Sequence, residues 1–235
     1  MVKAVSMKIY CMNIEELPQK REALMKELAQ RVPLIYPMIA EKMKRLKNDA
    51  DRKRSLSAYL LLLYAYCMEE KQKAQRNMAE LSISCDIGGK PYFHGEKQPF
   101  FNLSHSGTYA VCAFDNALAC GVDIQEIREM KPSFTDRFFS QKECELVAGQ
   151  VSISEQGKNR ICTEIWSKKE SLGKCIGCGL AGKMEELDTE STDYHVGVLP
   201  LHGEDQYVLT YCSRLQVCPE IKQVSYAEVL KEVFI

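Results

Sequence analysis

The chain has 235 residues, a length that suits one large domain or two small ones. Hydrophobic residues make up 46% and charged residues 27%, a balance that excludes a disordered tail, a collagen-like fibre and a coiled-coil rod. Lysine and arginine total 31 against 32 aspartates and glutamates, a net charge of -1. A basic field for coating nucleic acid is therefore not expected.

The apolar segments are too short for a membrane protein. The longest run, Ala58–Met68, falls well short of the roughly 20 residues that span a bilayer. The segment Met1–Asn13 lacks the apolar core of a secretory signal. The eleven cysteines are an odd number and cannot all pair with one another, which indicates reduced thiols. We therefore expect a cytoplasmic protein with no membrane and no nucleic acid as partner.

The first part of the chain combines one short strand with helical segments. Glu15–Gln30 is predicted to be helical because Pro18 suits a first turn and Leu24 and Leu28 recur at helical spacing. The other elements predicted here are a strand at Met7–Cys11, a helix from about Ile39 and a longer helix over Asp51–Glu80. The run Gly88–Pro91 then predicts a turn.

After this turn the pattern changes to short strands followed by helices. The predicted strands are Phe100–Leu103, Tyr109–Phe114 and Leu118–Ile124, with a later hairpin of Tyr194–Leu199 and Gln206–Tyr211. The predicted helices are Ser133–Phe139, Gln141–Gly149 and Ile161–Ile176, the last of them ended by Gly177. The change of pattern near 106–116 indicates a boundary, so we expect an N-terminal half at 1–110 and a C-terminal half at 111–235.

Two acidic residues occupy unusual positions. Asp123 ends an apolar strand, where a carboxylate needs a partner because an unpaired buried charge is costly. It either caps a turn, pairs with a structural arginine or belongs to a functional site. Glu170 lies four residues from both Trp166 and Lys174, on one side of the last helix and well off its apolar stripe. Glu170 and Lys174 form either an exposed ion pair or part of a site.

Ser104 and His105 follow one another in a predicted strand end. Adjacent residues of a strand point apart, and no G-x-S-x-G elbow is present, so a hydrolase pair is not expected. His105 suits the binding of an anionic oxygen, or else it is a hydrogen-bonded turn residue.

The segment from Lys42 to Arg54 carries seven basic residues against two acidic ones. Such a cluster either holds phosphates or is an ordinary solvated helix face. The chain has no Walker loop and no G-x-G-x-x-G, so a phosphate would be held by side chains.

Cys175 and Cys178 form a C-x-x-C sequence at the end of a predicted helix. There is no second pair and no nearby histidine for a zinc site, and a reactive thiolate needs the beginning of a helix rather than its end. We expect these two residues to be incidental thiols.

Five short motifs occur in a fixed order within residues 51–180. They are Gly-Lys-Pro at 89–91, Phe-Asn-Leu-Ser-His-Ser at 101–106, Gly-Val-Asp-Ile at 121–124, Arg-Phe-Phe-Ser at 137–140 with Glu143, and Trp-Ser-Lys-Lys-Glu-Ser-Leu-Gly-Lys at 166–174. Their order and spacing resemble the 4′-phosphopantetheinyl transferases, in particular the surfactin-synthetase-activating type. The pairing of G-V-D with W-x-x-K-E-S-x-x-K is the most specific part of the resemblance.

The resemblance implies an enzyme, a holo-[acyl-carrier-protein] synthase. This family moves 4′-phosphopantetheine from its substrate coenzyme A to a serine of an apo acyl or peptidyl carrier protein, uses Mg²⁺ and releases 3′,5′-ADP. It also implies an α+β fold of two similar halves, a pseudo-dimer in which each half is a three-stranded antiparallel sheet packed with a long helix. The site would lie between the halves of a monomer, with the nucleotide on the side of the N-terminal half.

The resemblance further implies roles for individual residues. Asp123 and Glu170 would bind one Mg²⁺, which neutralises charge on the leaving 3′,5′-ADP. Lys174 would reach the phosphate under attack and His105 the other phosphate of the pyrophosphate. Glu170, or a water near it, would take the serine proton. The matching positions put Ser104, Lys90 and Pro91 beside the nucleotide and Arg54 and Ser55 at its 3′-phosphate. The role of Glu143 stays open.

The chain departs from the family at one position. Many relatives have an acid two residues after the aspartate, where this chain has Gln125 followed by Glu126. On a strand Gln125 shares a face with Asp123, while Glu126 points away. The amide oxygen of Gln125 is able to ligate Mg²⁺ directly or through water, so Gln125 is the candidate third ligand.

Two other functions use the same residues. One is a metal-dependent phosphohydrolase that cleaves the pyrophosphate of coenzyme A-like molecules with water. The other is a non-catalytic module that only docks a carrier domain. Asp123, Glu170 and Lys174 are all intact, which argues against a non-catalytic module.

Overall fold

The structure, a computed structural model, describes residues 7–15, 21–69, 78–95, 99–178 and 183–234. The helices are α1 (Arg21–Arg31), α2 (Tyr36–Arg45), α3 (Asp49–Glu69), α4 (Pro132–Phe138), α5 (Gln141–Ala148), α6 (Glu155–Ile176) and α7 (Tyr226–Phe234). The strands are β1 (Lys8–Asn13), β2 (Ile83–Cys85), β3 (Pro91–Phe93), β4 (Phe100–Ser106), β5 (Tyr109–Asp115), β6 (Cys120–Glu126), β7 (His195–Leu199), β8 (Tyr207–Ser213) and β9 (Glu220–Gln223).

The first half is a sheet in the order β4-β5-β1-β9, covered on one face by α3. Strands β1, β5 and β4 pair antiparallel, while β9 joins the other edge of β1 in parallel. The stretch from Leu56 to Ala65 is buried almost throughout, because α3 lies between the sheet and α7. This explains why its apolar residues show no single stripe along the helix.

The second half repeats this arrangement with fewer strands. Its sheet has the order β6-β8-β7, all antiparallel, and α6 packs across β6 and β8. Ser154 caps the start of α6 through the backbone N–H of Gly157, and Gly177 ends the helix in the left-handed conformation at φ 86°. In each half a strand, a long helix and a hairpin follow in sequence, and the first strand pairs with the last. The expected α+β fold of two similar halves is confirmed.

The two sheets pack face to face and share a core. Successive residues of β1 point to opposite faces, so Tyr10 and Met12 contact the α3 side while Ile9 and Cys11 contact the second sheet. From the second half, Val122, Ile124 and Leu209 complete this shared core. Both faces of β1 and β5 are therefore covered, which explains the nearly continuous burial along these two strands.

Several details differ from the expectations. The first sheet has a fourth strand, β9, which arrives from near the C-terminus and was missed together with α7 because both segments are short. The expected boundary at 110 falls inside β5, whose pairing with β1 and β4 keeps it in the first sheet. We propose the β5–β6 connection, 116–119, as the boundary instead. Segment 220–234 returns to the first half.

Helix ends also differ from the expectations. Helix α6 begins at Glu155 rather than near Ile161, because its first turns carry mostly polar residues that the apolar pattern does not detect. Helix α3 is described up to Glu69, and Met78–Glu80 forms a single 3₁₀ turn. The part of the predicted helix at 70–77, like Pro18, lies outside the described residues. The predicted turn at Gly88–Pro91 joins the short strands β2 and β3.

Candidate active site

A row of hydrogen bonds joins β4 of the first half to β6 of the second. Asn102, Ser104 and Ser106 alternate along β4, so their side chains share one side of the strand. Their side-chain oxygens accept from three backbone N–H groups of β6, at Val122 (3.0 Å), Ile124 (3.3 Å) and Glu126 (3.0 Å). The N-x-S-x-S pattern therefore fixes how the two halves meet.

Asp123 lies at this seam and is 1% exposed. Its Oδ1 accepts from Ser104 Oγ at 2.7 Å and from Lys174 Nζ at 2.7 Å. Lys174 Nζ is also 3.0 Å from Ser104 Oγ and 3.3 Å from the carbonyl oxygen of Val122. The buried carboxylate is therefore paired and hydrogen-bonded by groups from β4 and α6, as a charge inside a protein requires.

Glu170 lies one helical turn before Lys174, and its Oε2 is 3.9 Å from Lys174 Nζ. Burial raises the pKa of the Glu170 carboxyl to about 6; Lys174 opposes this rise, and the nearby charge of Asp123 adds to it. Asp123 and Glu170 face the same cleft, and Lys174 neutralises the charge of Glu170 only in part. The two carboxylates therefore favour the binding of a cation.

Gln125 lies on the same side of β6 as Asp123, as expected. Its Nε2 donates to Asp123 Oδ2 at 3.0 Å, so the amide holds the second oxygen of the aspartate. Gln125 also lines the cleft that contains Asp123 and Glu170.

These residues fit a hard divalent cation such as Mg²⁺ by their chemistry. Asp123, Glu170 and Gln125 offer oxygen atoms, and Mg²⁺ commonly binds one or two carboxylates and fills its other positions with phosphate and water oxygens. Within the described ranges no group of three or more His, Cys, Asp or Glu could hold a metal ion. A site with two carboxylates would therefore depend on oxygens from a bound substrate.

The same cleft, of about 350 Å³, gathers positive charge. His105 is half-buried in its wall, and its pKa is lowered to about 4 by partial loss of hydration and by the charges of Lys42, Lys174 and Arg54. Cations that suppress the protonation of a histidine in this way make the cleft attractive to a polyanion. The basic segment identified in the sequence therefore contributes to a site through particular residues.

Two of these cations lie on different helices. Lys42 was not among the candidate site residues, yet it lines the cleft, its Nζ lies over the ring of Tyr59 at 5.2 Å from the centroid, and partial loss of hydration lowers the pKa of this ammonium. It comes three residues after the buried Ile39 of α2, which is the signal that could have found it. Arg54 pairs with Asp51 and does not line this cleft, so it acts on His105 from the rim.

Ser55 is a further residue of this cleft that suits the binding of a ligand. Its side chain lines the cleft and the residue is 1% exposed, yet its hydroxyl has no hydrogen-bond partner among the described residues. A buried polar group without a partner is costly, so a ligand that accepts this hydrogen bond would remove the cost.

Lys90 and Pro91 line an adjoining cleft of about 550 Å³ that also reaches Glu170 and Lys174. Lys90 Nζ is 3.1 Å from the carbonyl oxygen of Cys175, at the end of α6, and 3.5 Å from that of Cys120. The turn before it lies directly on the end of α6, because a Cβ on Gly88 would be 2.4 Å from the carbonyl oxygen of Gly177. Lys90 therefore holds the β2–β3 turn against the second half.

Two features of the sequence lie outside the cleft. Glu143 accepts from the backbone N–H of Ser140 at 2.7 Å and forms a 2.8 Å ion pair with the buried Lys169. All eleven cysteines lie among the described residues, and they form no disulfide there. The thiols of Cys175 and Cys178 donate to backbone carbonyls of Ala119 and Gly173, which agrees with incidental thiols.

Comparisons with known proteins agree with this geometry. The family model described as the 4′-phosphopantetheinyl transferase superfamily matches residues 119–224, and the model of the N-terminal part of a 4′-phosphopantetheinyl transferase matches 20–117. The two matched segments meet in the β5–β6 connection, where the chain passes from the first sheet to the second.

Relatives of known name belong to the same family. The 4′-phosphopantetheinyl transferase ffp of Bacillus subtilis is 30% identical over 173 residues, which cover 73% of this chain and 74% of that protein. The transferase Sfp of Bacillus subtilis (strain 168) is 27% identical over 232 residues, covering 93% and 100%. The solved holo-[acyl-carrier-protein] synthase of Thermotoga maritima gives a TM-score of 0.32 at 16% identity, over 41% of this chain and 62% of that chain. The matches to both halves and the relative at 30% identity show that the chain belongs to the 4′-phosphopantetheinyl transferase superfamily, as an enzyme of the Sfp type.

Proposed function

We propose that this transferase uses Mg²⁺ and moves 4′-phosphopantetheine from coenzyme A to a serine hydroxyl of an apo acyl or peptidyl carrier protein. The supporting observation is the contact of Ser104, Asp123 and Lys174 at 2.7 to 3.0 Å, with Glu170 beside them, at the seam between the halves. The acids would accept a cation there, and the adjoining basic residues would accept the phosphates.

The basic side chains would bind and orient coenzyme A. His105 and Lys42 on the cleft wall suit the pyrophosphate, and the orphaned hydroxyl of Ser55 with Arg54 at the rim suits the 3′-phosphate. Lys174 has a flexible stem and is 26% exposed, so it is able to turn from Asp123 towards a phosphate oxygen. The larger adjoining cleft beside Lys90 and Pro91 suits the nucleotide.

Glu170 is the group suited to take the proton of the attacking serine. Burial raises its pKa to about 6 when no metal is bound, and a cation bound nearby would lower this value and keep the carboxylate in the ionised form that accepts a proton. Mg²⁺ bound by Asp123, Glu170 and Gln125 would supply neutralisation of the charge on the leaving 3′,5′-ADP. Gln125 would keep Asp123 oriented through its 3.0 Å hydrogen bond.

We further propose a cytoplasmic monomer. One chain supplies both sides of the cleft, so a second copy is not needed to complete it. Eleven cysteines that form no disulfide among the described residues suit a reducing compartment. Among the described residues, no helix combines the length and apolar character needed to cross a membrane.

The test is mass spectrometry of apo-carrier proteins incubated with the enzyme, coenzyme A and Mg²⁺. A gain of about 340 Da on the carrier serine, the mass of phosphopantetheine, is the expected result of this phosphoryl-transfer step. Asp123→Ala should abolish most of the gain, while Asp193→Asn at an exposed position should not. A panel of fatty-acid, polyketide and peptide carriers that all stay unmodified would refute the proposal. Release of phosphopantetheine without any carrier would instead indicate a phosphohydrolase.

A further inference from the structure

Lys169 is a charged residue with a side chain that is 0% exposed, directly before Glu170 on α6. Its ammonium is within hydrogen-bonding distance of three oxygens: Glu143 Oε2 at 2.8 Å, the carbonyl of Met184 at 2.7 Å and that of Leu187 at 3.4 Å. An ammonium has three protons, so all of its donors have an acceptor. The contacts join α6 to two separate segments of the second half.

Glu143 is itself held in place. It is the third residue of α5, where its carboxylate accepts from the backbone N–H of Ser140 while the Ser140 hydroxyl accepts from its own N–H. This reciprocal capping box fixes the carboxylate at the beginning of the helix. Lys169 is therefore anchored to a rigid point, not to a freely rotating surface acid.

The opposite side of α6 is fixed on the second sheet. Ser167 Oγ lies 2.9 Å from Thr210 Oγ1, which also donates to the carbonyl oxygen of Ser167 at 2.8 Å. A Cβ on Gly121 would be only 1.9 Å from the carbonyl oxygen of Ser171, so β6 and α6 touch through their backbones. These contacts hold only the side of α6 that faces the sheet. The contacts of Lys169 on the opposite side limit the rotation of the helix about its axis.

The positions of these residues around the helix axis relate the two anchored sides of α6 to the cleft residue Glu170. At about 100° per residue, Lys169 lies about 160° from both Ser167 and Ser171, and Glu170 lies between the two anchored sides. A side chain extends about 5 to 6 Å from the axis, so a rotation of about 10° moves the Glu170 carboxylate by about 1 Å. Displacements of that size at a reacting centre cost on the order of a hundredfold in rate.

We propose that the Glu143–Lys169 ion pair is a positioning device that sets the rotation of α6 and thereby the place of Glu170 opposite Asp123. It gives Glu143 a role: Glu143 does not touch the substrates and acts through Lys169. The inference rests on the proposed function of Glu170 as a cation ligand and base. It requires that loss of the pair changes cation binding and turnover more than it changes the binding of coenzyme A.

The chain contains a matched control pair. Lys142 and Glu190 also form a 2.8 Å ion pair, and they too join α5 to the segment that follows α6. Their side chains are 83% and 75% exposed, so this pair is solvated and takes no part in the buried contacts of Lys169. Glu190→Gln removes a charge from the same pair of segments without releasing Lys169.

The experiment compares the wild type with Lys169→Met, the double variant Glu143→Gln/Lys169→Met, and Glu190→Gln. The double variant avoids a buried lysine without its counter-ion, and circular dichroism establishes that each variant is folded. The first measurement is calorimetric titration of Mg²⁺ into the enzyme with coenzyme A bound and no carrier present. The second is steady-state transfer to an apo-carrier at saturating Mg²⁺.

We expect both Lys169 variants to bind Mg²⁺ about tenfold more weakly and to lose about ten- to a hundredfold in kcat, with KM for coenzyme A within about twofold of the wild type. Glu190→Gln should match the wild type throughout. Folded Lys169 variants with wild-type Mg²⁺ affinity and kcat would overturn the inference, as would a loss of activity equal to the loss of folded protein. A wild type that transfers nothing refutes the proposed function instead, and the Mg²⁺ titrations still decide the role of the pair.

Discussion

Glu170→Gln should make the metal-free enzyme more stable while it removes activity. The Glu170 side chain is 14% exposed, and burial raises its pKa from the ordinary 4.5 to about 6. An acid with a raised pKa stabilises the folded state fully below its unfolded value and loses this contribution as the pH rises through the folded value. The rise in the Glu170 pKa from 4.5 to about 6 corresponds to about 2 kcal/mol lost from the free energy of unfolding at neutral pH. Glutamine has the same shape and no charge, so it avoids this cost.

The assay is urea denaturation with EDTA at about pH 5 and about pH 7.5. At the higher pH, we expect the free energy of unfolding of Glu170→Gln to be about 1 to 2 kcal/mol greater than that of the wild type. This difference between the two proteins should increase by about 1 kcal/mol from the lower to the higher pH. Transfer with Mg²⁺ should fall by on the order of a hundredfold or more. Glu164→Gln, on the same helix and paired with Arg160 at 3.8 Å, should stay within about 0.5 kcal/mol of the wild type.

A Glu170→Gln enzyme that is less stable than the wild type at the higher pH would refute this reasoning. So would an unchanged dependence of stability on pH, because it would show that the Glu170 carboxyl is not destabilised by burial. Full activity in the variant would remove Glu170 from the site.

Three further outcomes are expected. Gly121→Ala should lower the free energy of unfolding in urea by about 1 to 3 kcal/mol or more, because its Cβ would lie 1.9 Å from a backbone oxygen of α6. As the control, Gly157→Ala at the beginning of α6 should be neutral or stabilising. Gln125→Glu should lower the Mg²⁺ concentration for half-maximal rate and Gln125→Ala should raise it, since the amide holds Asp123; identical values in all three enzymes would exclude Gln125 from the site. Loss of hydration and the nearby cations hold the pKa of His105 at about 4, and the phosphates of coenzyme A would offset the cations, so coenzyme A binding without metal near pH 6 should take up protons. Equal calorimetric heats in buffers of different ionisation enthalpy would contradict this.

The local elements follow from local physics. The β7–β8 hairpin and the end of α6 at Gly177 were predictable because turn residues, apolar periodicity and the left-handed conformation of glycine act within a few positions. The neighbourhood of Glu170 and Lys174 was predictable for the same reason, since residues four apart share one side of a helix. The motif order added the family, which comparisons with known proteins confirm.

Other features depend on contacts between distant parts of the chain. The parallel pairing of β9 with β1 joins residues near opposite ends of the sequence, and neither short strand carries a sign of its partner. Lys42 belongs to the cleft only because α2 packs beside α3, and Glu143 pairs with the buried Lys169 only because α5 lies against α6. A periodic pattern can show which side of a helix a residue lies on, but in none of these pairings does it specify the partner.

Asp123 shows most clearly what the sequence determines and what the tertiary structure decides. By itself the sequence determined that a carboxylate ends an apolar strand and needs a partner, but turn capping, a structural arginine and a functional site all met that need. The tertiary structure decided among them: the partner is Lys174, 51 positions along the chain, with Ser104 and Gln125 completing its hydrogen bonds. The reason is physical, because burial demands compensation of a charge but the packing of the two halves determines which group provides it.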